Sequence, residues 1–230
     1  MRLAYATQNQ APRIKNLAVE TEHDETAESA AEGSALAQSE HLEEPTRNVT
    51  ITWDATDPNG DNLTYRMLYR TVGAKSSDAW TTLARDLKET SFDWQTKSVP
   101  DGKYQVKVIA SDAADNTPDA AKSSARETAA ITIDHTAPAV GDLAVTVDGN
   151  RVTLAGEAKD ALSNIVDVRL QVDNQGDWQP AAASDKMFDS PNEAFTATTR
   201  ALAAGNHRIT VRVTDATGNS SYKAVTVTVK

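Results

Sequence analysis

The chain has 230 residues, a formal net charge of −10 and no cysteine. The negative charge disfavours nucleic acid and anionic membranes as partners, because both present phosphate groups. The lack of cysteine excludes disulfides, thiolate catalysis and sulfur-ligated metals, and no apolar run approaches the roughly 18 residues of a membrane span.

In chain order, residues 1–9 form a polar leader without the apolar core and cleavage site of a signal peptide. Either the protein is cytoplasmic, or the chain is a mature or truncated piece of a longer protein. Residues 12–19 are predicted as a first strand. Residues 20–46 are rich in Glu, Ala and Ser and contain no Lys or Arg, which predicts a solvated, partly disordered surface insertion. A short helix over 25–42 is the alternative.

Residues 47–70 contain two runs in which apolar and polar residues alternate, at 49–53 and 63–69. Alternation with period two is typical of half-buried strands. The residues between them, at 57–61, are Asp, Pro, Asn and Gly, which favour turns. The stretch predicts a β-arch or a hairpin of a sandwich domain.

Short strands with turn signals between them continue to the end of the chain. The remaining predicted strands span 79–83, 91–94, 103–112, 129–134, 143–147, 151–158, 165–172, 194–199, 206–214 and 222–229. Within 165–172, alternation places Val166, Val168 and Leu170 on one apolar face. A turn at 173–176 begins a hairpin that ends near Trp178. This density of strands predicts sandwiches of the immunoglobulin or fibronectin type III kind.

The chain also repeats itself with an offset of 103 residues. The aligned pairs include Asp57 with Asp160, Gly102 with Gly205, Tyr104 with His207, Asp112 with Asp215, and Asn116 with Asn219. Repeats of this length are whole domains rather than solenoid units. The prediction is an all-β chain of two tandem immunoglobulin-like or fibronectin type III-like β-sandwiches, at residues 10–137 and 138–230.

Several motifs resemble a family of secreted bacterial proteins. They are the run 53–61 followed by Tyr65 and Tyr69, the turn Pro100-Asp101-Gly102-Lys103-Tyr104, which is similar to the tyrosine corner of such sandwiches, and the runs 188–191 and 213–219. In that family, tandem sandwiches form the C-terminal tail of proteins that begin with a β-propeller. The resemblance implies an exported bacterial protein, extracellular or at the cell surface, with structural rather than catalytic motifs. The acidic insertion and the lack of a propeller depart from the family.

The sequence predicts no catalytic residues. The four histidines, His23, His41, His135 and His207, lack zinc-ligand spacing. There is no Gly-rich phosphate loop and no nucleophile elbow, and carboxylate pairs are uninformative in so acidic a chain. We therefore expect a protein that is not an enzyme.

The one candidate cofactor is calcium. In a sandwich, the loop after the second strand and the loop after the sixth strand lie at the same end. This places several oxygen ligands of the first copy close together: Asp57, Asn59, Asp61, Asp112, Asp115 and Asn116. A second site is predicted between the two domains, from Asp101, Asp134, Asp160, Asn164, Asp215 and Asn219. Calcium takes six to eight oxygen ligands. The competing interpretation is that these side chains accept backbone N–H bonds in Asx turns.

We expect a non-catalytic structural or interaction module, acting as a spacer or a protein-contact domain beside a partner protein or a neighbouring domain. One alternative is a carbohydrate-binding accessory module that uses Trp80 and Trp178 to stack on a glycan. Another is a self-associating filament subunit, in which residues 2–9 add as a strand to a neighbouring copy.

Overall fold

A computed structural model of the chain describes residues 8–21, 48–74 and 80–230. The chain divides into two compact units, Met1–Ile133 and Asp134–Lys230. Apart from its first two residues, which belong to a strand, the segment predicted as an acidic insertion or a short helix lies outside the described residues. The same is true of residues 1–7 of the predicted leader.

The first unit, where described, is built from antiparallel strands. They are β1 (Arg13–Thr21), β2 (Asn48–Thr56), β3 (Thr64–Thr71), β4 (Thr81–Leu87), β5 (Ser91–Gln95), β6 (Gly102–Ser111), β7 (Ser123–Glu127) and β8 (Ile131–Ile133). One sheet has the order β1-β2-β5 and the other β4-β3-β6-β7, with β8 also paired to β6. Because β2 and β3 lie in different sheets, the described part of this stretch, residues 48–70, is a β-arch.

The core of the first unit follows from period-two alternation along its strands. In β6 the four side chains from Tyr104 to Ala110 at alternate positions are all buried. From the other sheet, Ile51 and Trp53 of β2 face them, and the Trp53 ring meets Tyr65 edge-on at a centroid distance of 5.3 Å. Such edge-to-face pairs add about 0.5–1.5 kcal/mol beyond area burial.

The predicted tyrosine corner is present in the first unit. The Tyr104 hydroxyl donates a hydrogen bond of 2.7 Å to the Pro100 carbonyl oxygen, four residues earlier. The ring is buried, which raises the pKa of the phenol, with smaller contributions from Tyr69 and Asp101. The bond fixes the turn that leads into β6.

The second unit also consists of antiparallel strands. They are β9 (Ala139–Val140), β10 (Ala144–Asp148), β11 (Arg151–Lys159), β12 (Ile165–Val172), β13 (Gln175–Pro180), β14 (Ala182–Ala183), β15 (Asn192–Thr198), β16 (Gly205–Asp215) and β17 (Ser220–Val229). One sheet has the order β10-β11-β15-β14, with β9 paired to β11, and the other β13-β12-β16-β17. The hairpin predicted between 165–172 and Trp178 forms as β12 and β13.

The fully buried part of the second core, within the described residues, is aliphatic apart from Phe195, and the half-buried Phe188 packs against it. Phe195 of β15 is 1% exposed and lies opposite Gly156 of β11 in the ladder. A Cβ atom at position 156 would stand 3.0 Å from the Phe195 ring and 2.8 Å from a methyl carbon of Leu143. A side chain at position 156 would therefore require the Leu143 side chain and the Phe195 ring to shift.

Both units are therefore antiparallel β-sandwiches of the immunoglobulin and fibronectin type III class, as predicted. Each unit has two sheets, and strands that follow one another in the sequence can lie in different sheets. The apolar face of one sheet packs on that of the other. Within the described residues, no helix is long and apolar enough to cross a membrane.

Candidate metal centres

Three carboxylates of the first unit converge at the loops that follow β2 and β6. Asp57 and Asp61 come after β2 and Asp112 after β6, and one carboxylate oxygen from each lies within 4.8 Å of the others. Asp112 is fully buried, and the other two are half-buried. Like charges this close oppose one another unless protons, donors or a cation neutralise them.

Asp57 uses one of its two oxygens to shape the loop. Its Oδ1 accepts the backbone N–H of Asn59 at 2.7 Å and that of Asp61 at 3.3 Å, which is an Asx turn. Its Oδ2 is buried and accepts no hydrogen bond from the described part of the chain. The turn-capping interpretation thus accounts for the hydrogen bonds of Oδ1 but does not explain why Oδ2 is buried.

Asp112 connects the triad to the segment before β1. Its Oδ1 accepts the Lys122 N–H at 2.6 Å, and its Oδ2 accepts the Asn9 side-chain amide at 2.8 Å. The other side-chain atom of Asn9, Oδ1, is buried and has no hydrogen-bond partner among the described residues. Asn116 donates to Asp61 Oδ2 at 2.8 Å. Sequence analysis missed Asn9, because it lies in a polar leader with no pattern of its own.

Asp115, also predicted as a ligand, is not among the three converging carboxylates. Asp115 and the predicted ligand Asn59 both brace the loops. Asn59 Oδ1 accepts the backbone N–H of Gln10 at 2.8 Å. Asp115 Oδ2 accepts both the backbone N–H and the side-chain amide of Asn62, at 2.7 and 2.9 Å. In these roles both side chains hold neighbouring segments in place.

The second unit contains an equivalent triad of Asp134, Asp160 and Asp215, again with oxygens within 4.8 Å of one another. Asp160 follows β11, and its Oδ1 accepts the N–H groups of Leu162 and Ser163, each at 2.8 Å. Its Oδ2 is buried and accepts no hydrogen bond within the described ranges. Asp160 therefore repeats the arrangement of Asp57.

Asp215, at the end of β16, accepts hydrogen bonds on both of its carboxylate oxygens. Its Oδ1 accepts the backbone N–H groups of Thr217 and Asn219, at 2.9 and 2.8 Å. Its Oδ2 accepts the Asn219 side-chain amide at 2.7 Å, and that amide also donates to the Asp134 carbonyl oxygen at 3.1 Å. Asn219, predicted to lie near this site, thus ties the β16–β17 loop to the segment before β9.

Asp134 is 3% exposed and lies close to the other two carboxylates of the triad. Burial raises the pKa of its carboxyl group, and the charges of Asp160 and Asp215 raise it further. Hydrogen bonds from the Thr136 N–H and the Ser163 hydroxyl act in the opposite direction. A cation at this point would stabilise the charged form.

Two residues of the first triad are equivalent by the 103-residue repeat to two residues of the second. The repeat aligns Asp57 with Asp160 and Asp112 with Asp215. The third carboxylate has a different origin, since Asp61 lies in the same loop as Asp57 whereas Asp134 precedes the first strand of its unit. Asn9 occupies that preceding position in the first unit.

Asp101, predicted as a ligand of the second site, belongs to the first unit. It lies in the turn before β6, beside the Tyr104 hydroxyl, whose pKa it helps to raise. The carboxylates that converge as the second triad all belong to the second unit.

The two tryptophans considered for glycan stacking have different surroundings. The half-buried Trp80 ring has the Arg70 guanidinium carbon 4.4 Å and the Lys107 Nζ 4.1 Å from its centroid. Both cations also pair with Glu127, at 3.3 and 2.7 Å. These contacts are cation–π interactions and cover the aromatic surface that a sugar would use.

Trp178 is also half-buried, and its ring lies 5.0 Å from the Arg212 guanidinium carbon. Its aromatic neighbour is Tyr222, which is 61% exposed, at a centroid distance of 6.2 Å. Among the described residues, the Trp178–Tyr222 pair therefore leaves more aromatic surface open than Trp80 does.

No protein-family model matches the chain, and no curated protein matches it. Similar solved structures include the fibronectin(III)-like modules of Clostridium thermocellum CbhA, at 17% identity and a TM-score of 0.39, covering 80% of this chain and 85% of that one. Domains FN1–FN3 of chicken CNTN1 match at 14% identity and a TM-score of 0.43, covering 80% of this chain and 62% of that one.

Latent dimeric PorU from Porphyromonas gingivalis matches at 13% identity and a TM-score of 0.37. That match covers 80% of this chain, which spans only 22% of the length of PorU. Similarity at this level assigns neither a family nor a function, and the fold class rests on the strand order of the chain itself.

Proposed function

We propose that the chain is a non-catalytic structural or protein-contact module of an extracellular bacterial protein. The observation that supports this proposal is that the carboxylates and the tryptophan considered as binding groups make contacts that stabilise the fold. Asp112 and Asp215 are buried and accept bonds on both oxygens, and the Trp80 ring is covered by two cations. The motif resemblance of the sequence supports an exported, bacterial origin.

A glycan array with the whole chain and with Trp178→Ala and Trp80→Ala tests this function against the carbohydrate-binding alternative. A spacer is expected to bind no glycan above background. Glycan binding that is lost in Trp178→Ala and kept in Trp80→Ala would replace the structural role with carbohydrate recognition at the more open aromatic pair.

Sedimentation of the whole chain and of a chain without residues 1–9 tests the filament alternative. We expect the same monomeric species from both. Assembly of the whole chain that disappears on deletion, with the remaining chain still folded, would favour strand addition by the leader.

Calcium binding by the two triads is a second candidate function. It is favoured by the buried oxygens Asp57 Oδ2 and Asp160 Oδ2, which accept no hydrogen bond from described residues. Leaving a buried acceptor unsatisfied costs about 1–3 kcal/mol, and a hard cation coordinated by carboxylate oxygens would offset that cost. Bound calcium would then stiffen the loops that carry the triad residues.

The test compares calcium titrations of the chelator-treated chain with those of Asp57→Asn and Asp160→Asn, by calorimetry and thermal melts. Asparagine keeps Oδ1 to accept the Asx-turn bonds but puts an amide NH2 in place of the unbonded oxygen. Each variant should lose one calcium-dependent increase in melting temperature. Asp119→Asn and Asp148→Asn remove the same charge from exposed positions and should keep the response.

Wild-type melting that does not change at millimolar calcium would refute this second function. It would leave the structural role intact, because the carboxylates would then act through their Asx turns alone.

A further inference from the structure

The second unit forms its corner with a histidine. The 103-residue offset aligns Tyr104 with His207 and Pro100 with Ala203. His207 Nε2 lies 2.9 Å from the Ala203 carbonyl oxygen, four residues earlier, where the Tyr104 hydroxyl meets the Pro100 carbonyl. The imidazole thus stands in the geometric position of the corner phenol.

The other ring nitrogen of His207 also meets an oxygen. His207 Nδ1 lies 2.7 Å from Asp173 Oδ2, and Asp173 Oδ1 accepts the Arg208 backbone N–H at 2.8 Å. Asp173 lies in the turn between β12 and β13 with φ at 53°. The ring therefore bridges two loops, the β12–β13 turn and the segment before β16.

Both partners of the ring are hydrogen-bond acceptors. A carbonyl oxygen and an ionised carboxylate can only accept, and a neutral imidazole carries a single N–H, whereas the imidazolium carries two. In the neutral form, one nitrogen lone pair would face an oxygen at hydrogen-bonding distance. The geometry is therefore satisfied only by protonated His207.

We propose that His207 is a proton-dependent latch, which closes the corner of the second unit when protonated and releases the Ala203 carbonyl when neutral. The first unit has no such dependence at its corner, because Tyr104 keeps its proton across the physiological range. The latch is independent of the function proposed above.

The charged surroundings of His207 are simple. Asp173 is the charged group that acts on the ring. The hydrogen bond with Asp173 raises the pKa of His207 above its ordinary value, and the hydrogen bond with the Ala203 carbonyl raises it further. Across the ladder, β17 places the apolar Val227 opposite His207. Arg208 is exposed and lies on the other face of β16. The hydrogen bond from His207, and then that from the Arg208 backbone N–H, lower the pKa of the Asp173 carboxyl group.

The direction of the pH dependence follows from these shifts. A folded pKa above the unfolded value near 6.5 gives stability that is complete below about 6.5 and is lost as the pH rises through the folded pKa. The stability that Asp173 contributes is present above about pH 3.9, the unfolded pKa of an aspartate, and is lost only as the pH falls below that value. The latch stays closed above the folded pKa of Asp173 and opens as the pH rises through the folded pKa of His207.

The experiment combines a 15N NMR titration of the imidazole rings with thermal unfolding of the second unit between pH 6 and 9. Wild-type His207 should titrate above 6.5, with both nitrogens protonated at pH 6. His207→Tyr restores the residue of the first-unit corner and assigns the NMR signal. It should flatten the pH dependence of unfolding relative to wild type, while other titrating groups contribute equally to both.

Asp173→Asn provides a second test that does not require His207→Tyr to fold. Asparagine tolerates the left-handed backbone at this position, and the variant should lower the pKa of His207 measurably. A wild-type pKa at or below 6.5, a neutral tautomer at pH 6, or equal pH dependence in wild type and His207→Tyr would each overturn the latch.

Discussion

Replacing Asp134 by asparagine should stabilise the second unit in the absence of calcium and abolish its stabilisation by calcium. Asp134, Asp160 and Asp215 bring carboxylate oxygens within 4.8 Å of one another, and Asp134 and Asp215 are 3% and 1% exposed. The substitution removes the charge and keeps Oδ1, which accepts the Thr136 N–H at 3.0 Å. It therefore changes the electrostatics of the triad with little effect on its shape.

The magnitude follows from the geometry. Two unit charges 4.8 Å apart repel by about 3.5 kcal/mol at an effective dielectric constant of about 20. The variant eliminates two of the three pairs in the triad. Because the raised pKa of Asp134 and the donors around the triad already relieve part of this repulsion, we expect a net gain of about 1–3 kcal/mol. For a domain of about 100 residues, that raises the melting temperature by about 4–24 °C.

Differential scanning calorimetry of the whole chain in chelator, and again in millimolar calcium, measures both effects. The control is Asp148→Asn, an exposed position in the same unit, which should change stability by less than about 0.5 kcal/mol. A variant that melts below wild type in chelator would refute the electrostatic reasoning, because it would show that the Asp134 charge is net favourable without a cation.

Two further substitutions test the packing of each unit. Tyr104→Phe deletes the hydroxyl that donates to Pro100 and should cost the first unit about 1 kcal/mol in urea unfolding; an unchanged midpoint would mean that the corner bond contributes nothing. Gly156→Ala forces a methyl group against Phe195 and Leu143 and should cost the second unit about 1–3 kcal/mol. Wild-type melting of the alanine variant would show that the sheet relaxes freely at this point.

The strands that sequence analysis located best were those with a buried face. The alternation in 103–112 predicted β6 because four apolar side chains on one side of the strand face the core. Strand β7 (Ser123–Glu127) was missed, because this polar, mostly exposed strand carries no apolar alternation. Its position is set by backbone pairing to β6, which leaves no mark in the side chains.

The predicted apolar face of 165–172 was wrong at one residue. Val166 was expected to lie with Val168 and Leu170, but it is 46% exposed, while Ile165 is fully buried. The register of β12 against β16 shifts between Ile165 and Asp167. One extra residue at such a bulge moves the residues beyond it to the other face of the sheet.

The sequence by itself determined the fold class, the repeat and the two Asp pairs that the repeat relates, because alternation, turn residues and a constant offset are local or linear properties. Only the tertiary structure decided that Asn9 reaches Asp112 and that His207 faces two acceptors. Each depends on loops distant in sequence meeting at one end of a sandwich, and that meeting is fixed by strand order and register.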